Sequence, residues 1–210
     1  AAAKLCAGIA VDYTTLDRKD DIDATWGPVL ATWEGFAADT EIRHRGSSGG
    51  AVTALALFAM QSKRAAGVAH IRARADDPRK NEAVISRTRA DLLLGAGSRY
   101  AQASAAEVIG EISASDNPIV FIGKPCDVAS AHKAELGENL ALTIAIFCAG
   151  APNLIGTDKL LARLAVPKDA KLTDLRYRGD GWPGLMQARY MTDAGEVTSE
   201  GIPYSEGWGR

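Results

Sequence analysis

A run of small residues, Ser47–Gly50, leads directly into an apolar segment over residues 51–60. The first amides of a helix have no partner within the helix, and the helix dipole is positive at that end. Ser47 or Ser48 could cap such a helix, and the two glycines would let the backbone approach a ligand closely. This helix start is therefore suited to phosphate. A capped core helix with a flexible lead-in explains the same residues, and the sequence leaves both interpretations open.

Neither of the common nucleotide-binding patterns accounts for this run. A Walker loop requires Gly-Lys-Ser/Thr before its helix, and no such triplet follows residue 50. A dinucleotide fingerprint requires Gly-x-Gly-x-x-Gly after a strand, whereas residues 39–45 are polar. Any phosphate bound here is therefore held by a different loop.

Two further loops follow strand-like apolar runs, and both contain cysteine. Residues 119–122 precede Gly123-Lys124-Pro125-Cys126, and residues 140–147 precede Cys148. Ligands of open parallel sheets bind beyond the carboxyl ends of the strands, which is where these loops would lie. The expected helix N-terminus and the neighbouring Lys124 both favour the thiolate form of Cys126, which attacks electrophiles or ligates metals. A small buried residue at a turn is the alternative for each cysteine.

Two other loops combine cations with aromatic rings. In the first, Arg99 could neutralise a phosphate and Tyr100 could stack on a planar ring. The second, residues 176–184, contains two arginines, two aromatic residues and three glycines. A solvated loop and a β-turn with a packed tryptophan are the respective alternatives. The chain has three histidines, and they show no metal-ligand spacing.

Composition narrows the class of protein. The chain has 210 residues, a formal net charge of −2 and 47% hydrophobic residues, which fits a globular protein of one large domain or a domain and a half. The charge gives no indication of a nucleic-acid partner, and no window reaches the roughly 18 apolar residues of a membrane span. Three cysteines cannot form a closed disulfide framework, and the alanine-rich start is too short and polar for a signal peptide. A reducing cytoplasm is the expected setting.

Strand-like and helix-like segments alternate along the chain. The predicted strands are 29–35, 68–75, 83–87, 119–122, 140–147, 172–178 and 186–192. The predicted helices are 48–61, 88–94, 104–113, a helix ending near 136, and 157–164. The run at 119–122 is continuously apolar, which favours a strand buried on both faces, and 140–147 is expected to be a second buried strand. The sequence therefore predicts an α/β fold with a mixed, largely parallel sheet flanked by helices and an irregular C-terminal segment.

Five motifs occur in the order seen in the coenzyme F-420 hydrogenase/dehydrogenase beta-subunit family, which this chain resembles from about residue 33 to residue 210. The motifs are Ser47-Ser48-Gly49-Gly50, Gly97-Ser98-Arg99-Tyr100, Gly123-Lys124-Pro125-Cys126, Phe147-Cys148-Ala149-Gly150 and Arg178-Gly179-Asp180-Gly181-Trp182-Pro183-Gly184. The family is similar to chlorophyll-pathway reductases of the hydroxymethyl-chlorophyll and vinyl-reductase type. The resemblance implies FAD, iron–sulfur clusters and electron transfer to or from a hydride acceptor or organic substrate.

The resemblance also implies roles for particular residues. It divides the chain into an N-terminal segment, 1–35, the remnant of a cluster-binding region, and an FAD-binding α/β domain, 36–210. The implied cofactor-binding residues are Ser47, Ser48, Gly49, Gly50, Thr53, Ser98, Arg99, Tyr100, Gly123, Pro125, Arg178 and Trp182. Lys124 and Cys126 are implied to be catalytic, facing the flavin ring or a nearby cluster. Cys126 and Cys148 are the implied cluster ligands.

The chain also departs from the family pattern. Many members begin with a Cys-x-x-Cys signature, where this chain has only Cys6, and members continue into a cysteine-bearing segment beyond the point where this sequence stops. A 4Fe-4S cluster usually takes four thiolates, so its ligands are expected partly from outside this chain. The chain is accordingly expected to be a fragment or a shortened member.

The resulting prediction is a flavin-dependent oxidoreductase subunit that transfers electrons between an iron–sulfur or ferredoxin donor and a hydride-accepting coenzyme or organic substrate. Its expected partners are a ferredoxin or hydrogenase-like subunit and a small-molecule electron acceptor, and homo-oligomerisation is left open. The first alternative is a non-catalytic nucleotide-binding or assembly subunit of an electron-transfer complex. The second is an enzyme with Cys126 as nucleophile and no flavin, although no general base for it is evident.

Overall fold

The computed structural model describes residues 2–9, 22–23 and 25–203. The helices are α1 (Ala2–Leu5), α2 (Thr40–Arg45), α3 (Ala51–Gln61), α4 (Arg89–Leu94), α5 (Ile109–Ser113), α6 (Pro125–Lys133) and α7 (Leu154–Arg163). Single 3₁₀ turns lie at Ser48–Gly50, Ala105–Val108 and Gly137–Asn139. The strands are β1 (Ile22–Asp23), β2 (Gly27–Pro28), β3 (Gly67–Ala73), β4 (Asn81–Ser86), β5 (Ile119–Gly123), β6 (Leu140–Ala145), β7 (Leu172–Arg176), β8 (Leu185–Thr192), β9 (Gly195–Thr198) and β10 (Ile202–Pro203).

A four-stranded mixed sheet in the order β4-β3-β5-β6 forms the centre of the fold. β3 pairs with β4 in the antiparallel sense, whereas the β3–β5 and β5–β6 pairs are parallel. Helices connect the parallel strands, as a crossover between parallel strands requires. The predicted α/β fold with a mixed, largely parallel sheet flanked by helices is thus confirmed.

Helices cover both faces of this sheet, because the central strands are apolar on both sides. Val68 and Val120 point to one face, where they pack with Leu57 of α3 and Leu92 of α4. The alternate residues, among them Phe121, point to the other face. They pack there with α5 and α6 in the cluster Ala69, Ala105, Val108, Ile112, Ile119, Phe121, Ala131 and Leu136. β5 is therefore buried on both faces, as its uninterrupted apolar run predicts.

Two helices begin at the carboxyl edge of the parallel strands. α3 ends at Gln61 and a short turn leads into β3 at Gly67, so the helix lies on the sheet antiparallel to that strand. Its N-terminus therefore lies at the edge where β3, β5 and β6 end. α6 begins at Pro125, immediately after β5, at the same edge. This arrangement matches the place where α/β proteins bind ligands.

The C-terminal segment forms a second, antiparallel sheet. β8 pairs with β7, β9 and β10, and α7 packs on this sheet through a cluster that includes Leu160, Leu175 and Tyr177. The strands predicted at 172–178 and 186–192 are confirmed. The segment is more regular than its sequence indicates, because several short strands share β8 as a common partner.

Two strand predictions are corrected. Residues 29–35, predicted as a strand, have no strand pairing and are exposed, with Trp33 90% accessible. β6, predicted to be a second buried strand, is an edge strand whose Leu142 is 40% accessible. Both segments have the β-branched, aromatic and aliphatic residues typical of central strands, but the described part of the chain places no strand beside the first and only β5 beside the second. The division at residue 35 stays a prediction.

Candidate functional site

The turn before α3 has a left-handed backbone that its glycines make possible. Ser48, Gly49 and Gly50 have φ values of 51°, 71° and 71°. A β-carbon at Gly49 would lie 2.9 Å from Cβ of Phe36, and one at Gly50 would lie 2.6 Å from the carbonyl oxygen of Ile42. The glycines are therefore required by packing within the chain as well as by the turn itself.

The expected serine cap of α3 is not formed. Gly50 is the N-cap residue, and no side chain accepts a hydrogen bond from the first turn of the helix. The hydroxyl of Ser47 instead contacts another loop, as described below. The positive end of α3, including the half-buried Thr53, is thus left without a side-chain cap at the carboxyl edge of the sheet.

Three of the motifs singled out in the sequence converge beside this helix end. Ser98 Oγ donates a hydrogen bond to Ser47 Oγ at 2.8 Å, which joins the 97–100 loop to the turn before α3. The amide of Gly181 donates to the carbonyl oxygen of His44 at 2.9 Å. Arg176 Nη1 donates to the carbonyl oxygen of Arg45 at 3.2 Å. The 176–184 loop is therefore held against the end of α2, immediately before the turn.

Arg99, predicted to bind cofactor, donates hydrogen bonds to three acceptors within the chain. Its Nε donates to Asn81 Oδ1 at 2.8 Å, its Nη1 donates to the carbonyl of Leu175 at 2.6 Å, and its Nη2 donates to the carbonyl of Pro78. The guanidinium also lies 5.2 Å from the ring centre of Tyr177. Burial lowers the pKa of Arg99. The structure thus shows Arg99 joining the β3–β4 turn to β7.

Lys124, predicted to be catalytic, takes part in a buried polar network at the start of α6. Its ammonium donates to Asp127 Oδ2 at 2.6 Å and to the carbonyl of Ala103. Asp127 Oδ2 also accepts from the amide of Lys124 at 3.2 Å, and Oδ1 accepts from Ser104 Oγ at 3.0 Å. The side chain of Ser104, at the start of the helix predicted over 104–113, therefore bonds Asp127 and caps no helix. Asp127, 5% accessible, is the residue that the site prediction missed, although its spacing from Lys124 is that of a capping box.

The two predicted cluster ligands lie on neighbouring loops. Gly123 and Ala145 are register partners in the parallel β5–β6 pair, and the amide of Ile146 donates to the carbonyl of Gly123 at 2.9 Å. Cys126 lies three residues after Gly123, and Cys148 lies three residues after Ala145. Both cysteines are exposed. No group of three or more His, Cys, Asp or Glu side chains within residues 4–9, 23 and 25–203 is arranged to hold a metal ion.

The remaining predicted cofactor residues differ in exposure. The side chain of Trp182 is 80% accessible, in the loop that Gly181 anchors to His44. Arg178 is half-buried, and its Nε donates to the carbonyl of Pro183 at 3.4 Å. Tyr100 packs edge-on against Tyr177, with ring centres 5.6 Å apart. Trp182 therefore presents an exposed aromatic ring, whereas Tyr100 and Arg178 are half-buried.

Two cavities lie outside this convergence. One, of about 320 Å³, lies against α6 and β6, and the other, of about 720 Å³, lies between the β3–β4 turn and α7.

Within the described residues, the helices are too short or too polar to cross a bilayer.

This architecture defines an α/β protein with its candidate site at the carboxyl edge of a parallel sheet. Two family models match the chain: the N-terminal part of the coenzyme F420 hydrogenase/dehydrogenase beta subunit at residues 32–110, and its C-terminal part at residues 116–206. The chain therefore belongs to the coenzyme F420 hydrogenase/dehydrogenase beta-subunit family, as its motifs indicate.

A solved structure supports the fold. The chain is similar to one in the F420-reducing [NiFe] hydrogenase complex from Methanosarcina barkeri, a xenon-derivatised structure, with a TM-score of 0.58 and 20% sequence identity. The match covers 82% of this chain and 60% of that one. This chain thus spans about three fifths of the length of that relative, and the likeness extends to the fold alone. No curated protein matches the sequence.

Proposed function

We propose that this chain is the flavin-binding part of an oxidoreductase that passes electrons between an iron–sulfur donor and a hydride-accepting coenzyme or organic substrate. Membership of a hydrogenase and dehydrogenase subunit family supports the electron-transfer role. FAD is the proposed cofactor because it can exchange a hydride for single electrons. The proposed partners are a ferredoxin or hydrogenase-like subunit and a small-molecule acceptor.

The observation that carries this proposal is the start of α3. The helix has eleven residues, its first turn has no side-chain cap, and it opens at the carboxyl edge of parallel strands. Backbone amides there are suited to a diphosphate, because they are hydrogen-bond donors and the helix end is positive. The donor set around them, with the hydroxyls of Ser47 and Ser98, fits the same group.

The other residues have supporting roles in this proposal. Thr53 would contact the diphosphate or ribose, and the exposed ring of Trp182 would cover a planar group. Arg99 is a positioning residue, since its donors hold the β3–β4 turn and β7 together. Lys124 would likewise fix the Cys126 loop rather than donate to the flavin.

We also retain Cys126 and Cys148 as proposed ligands of a 4Fe-4S cluster. Their exposure and their neighbouring loops support this role. The remaining ligands would come from outside this chain, because a cluster usually takes four thiolates and Cys6 lies apart, beside Lys133 of α6.

The alternative of a non-catalytic nucleotide-binding or assembly subunit is favoured by one specific observation. The cationic groups of Arg99 and Lys124, which the sequence placed at the flavin, are both bonded to protein oxygens. A chain with this arrangement could bind a nucleotide without supporting turnover. The two functions differ in whether the purified protein contains flavin that a donor can reduce.

The experiment changes the charge at the start of α3. Ala51→Glu places a carboxylate at the first helical position, where it favours the helix but repels a diphosphate, and Ala51→Gln is the uncharged control. We expect flavin affinity to fall about tenfold in the charged variant alone. A bulky residue in the turn itself, such as Gly49→Val, would be a less specific test than Ala51→Glu. The added β-carbon would crowd Phe36 and disturb the fold, so a loss of flavin could not be assigned to the diphosphate.

The measurement is bound flavin per chain, after anaerobic purification with FAD, together with the visible spectrum and iron content. If both variants and the original protein contain equal amounts of flavin, the diphosphate does not bind at the start of α3. A folded original protein that binds a nucleotide but no reducible flavin would support the non-catalytic alternative.

A further inference from the structure

The larger cavity, of about 720 Å³, lies between two separate parts of the fold. One wall is the turn that joins β3 to β4, over residues 76–79. The other wall is α7 and the segment that leads from it into β7 at Leu172. This cavity is on the β4 side of the mixed sheet, whereas Cys126 and Cys148 follow β5 and β6.

An arginine holds the two walls together. Arg79 Nε and Nη2 donate to the carboxylate of Asp77 at 2.9 and 3.0 Å, within the turn. Its Nη1 donates to Asp158 Oδ1 of α7 at 3.1 Å. The neighbouring Pro78 is anchored through its carbonyl by the buried Arg99. One ion pair, between Arg79 and Asp158, therefore bridges the two walls of the cavity.

The acidic groups of the cavity are largely neutralised within the chain. Asp77 is paired with Arg79 and lies 3.4 Å from Lys80 Nζ, and these cations hold its pKa at about 2. Asp158 also pairs with Arg79. Asp76 is paired with Arg74 at 2.6 Å. Asp169 is the acidic lining residue left without an ion pair among the described residues.

The lysines that line the same cavity are not neutralised in this way. Lys159, Lys168 and Lys171 are exposed and make no ion pair with any residue that the structure describes. The lining has four carboxylates and four cations, and Arg74 and Lys80 add two more cations through their pairs with Asp76 and Asp77. Six cations therefore accompany four carboxylates around the cavity. An anionic group that enters it would not have to displace an existing ion pair.

The floor of the cavity is apolar. Leu161 and Leu172 pack into the C-terminal cluster and line the cavity with Val166. Ile155 of α7 lines it too and is 63% accessible. Apolar surface beside unpaired cations is suited to a molecule that has both an apolar body and an acidic group.

We propose that this cavity binds an amphipathic organic anion, a molecule with an aromatic or aliphatic body and a sulfonate, carboxylate or phosphate group. Lys168 and Lys171, with Lys159, contact the anionic group, and Ile155 with its apolar neighbours contacts the body. None of the residues that line the cavity is among the predicted flavin residues, so we expect its ligand to bind whether or not the chain carries flavin.

The test uses two dyes of nearly the same shape. Anilinonaphthalene sulfonate is the anionic probe, and N-phenyl-1-naphthylamine is the matching probe without the sulfonate. The double variant Lys168→Gln/Lys171→Gln removes two charges from the cavity, and Lys4→Gln/Lys63→Gln removes two charges from exposed sites elsewhere. Each titration follows dye fluorescence on the full chain at low salt.

We expect the cavity variant to bind the sulfonate dye about three- to tenfold more weakly, with the neutral dye unchanged. The control variant should match the original protein with both dyes. The proposal fails if the two double variants weaken the sulfonate dye equally, or if the cavity variant binds it as the original protein does.

A second variant tests the apolar floor. Ile155→Asp lies in the first turn of α7, where a carboxylate suits the helix, and Ile155→Asn is its uncharged control. We expect both changes to weaken the neutral dye about threefold, and the aspartate to weaken the sulfonate dye further. Unchanged binding of both dyes in both variants would place the body of the ligand elsewhere and overturn the proposal.

Discussion

β5 and β6 are adjacent parallel strands with similar apolar sequences and very different surroundings. Ile119, Val120 and Phe121 of β5 are wholly inaccessible, whereas Leu142 of β6 is 40% accessible, and Phe147, just beyond that strand, is 91% accessible. β5 has a strand on each side, while the described residues place β5 alone beside β6. An apolar run therefore indicates a strand, but the pairing of neighbours decides whether that strand is buried.

The loops that follow the two strands differ in the same way. The loop after β5 is held by Asp127, which bonds both Lys124 and Ser104. The loop after β6 is exposed around Phe147 and Cys148. Two neighbouring cysteines are thus presented by one firmly bonded loop and one open loop.

The largest expected effect is on the free energy of unfolding, and it compares a core residue of β5 with an edge residue of β6. Phe121→Ala should lower the free energy of unfolding by about 3–5 kcal/mol, because it leaves a cavity in the core. Leu142→Ala should cost less than about 1 kcal/mol, since a large part of that side chain is already in water. Urea unfolding followed by circular dichroism measures both. Equal losses would mean that β6 is covered as completely as β5.

The next effect concerns the loops. Asp127→Ala should cost about 2 kcal/mol, because it leaves the Lys124 amide and ammonium and the Ser104 hydroxyl without their acceptor. Cys148→Ser, on the exposed loop, should stay within about 0.5 kcal/mol of the original protein. The same unfolding measurement checks this pair. A neutral Asp127→Ala variant would show that the loop after β5 does not depend on that carboxylate.

The smallest expected effect is a pH dependence of stability, which we expect from a histidine in the core and not from one at the surface. His70 of the central strand β3 is 5% accessible, with Nε2 2.8 Å from Ser86 Oγ, and burial lowers its pKa below 6.5. A folded pKa below the unfolded value means that the contribution to stability is complete above pH 6.5 and is lost as the pH falls towards the folded pKa.

The pH dependence is measured by the urea midpoint between neutral and mildly acidic pH. His70→Gln should remove this part of the loss, whereas His132→Gln, at an exposed position on α6, should leave it unchanged. An original protein whose midpoint depends on pH in the same way as His70→Gln would exclude His70 as the titrating group.

Local sequence signals predicted much of the fold. The helix predicted over 88–94 forms with Thr88 as its N-cap, and Thr88 Oγ1 accepts a hydrogen bond from the amide of Asp91 at 3.1 Å. The strands β3, β4, β5, β7 and β8 and the helices α3 and α7 also lie where their patterns indicate. These elements depend on residues close together in the chain, so periodicity and capping residues suffice to locate them.

Long-range contacts account for what the sequence did not predict. Arg99 finds its acceptors at Asn81, Pro78 and Leu175, and Ser104 bonds Asp127 instead of its own helix. No local pattern distinguishes an arginine that binds phosphate from one that joins two sheets. The convergence of the 44–50, 97–100 and 176–184 loops likewise depends on pairs far apart in sequence.

The boundary between the two family segments crosses the mixed sheet. Residues 32–110 provide β3 and β4, residues 116–206 provide β5 and β6, and the β3–β5 pairing of Val68 with Val120 joins them. Each segment alone would expose one side of a strand whose partner belongs to the other. A chain cleaved between α5 and β5, within residues 114–117, should therefore keep its structure only while both fragments remain associated, which makes this position a natural place to split the protein into a complementing pair.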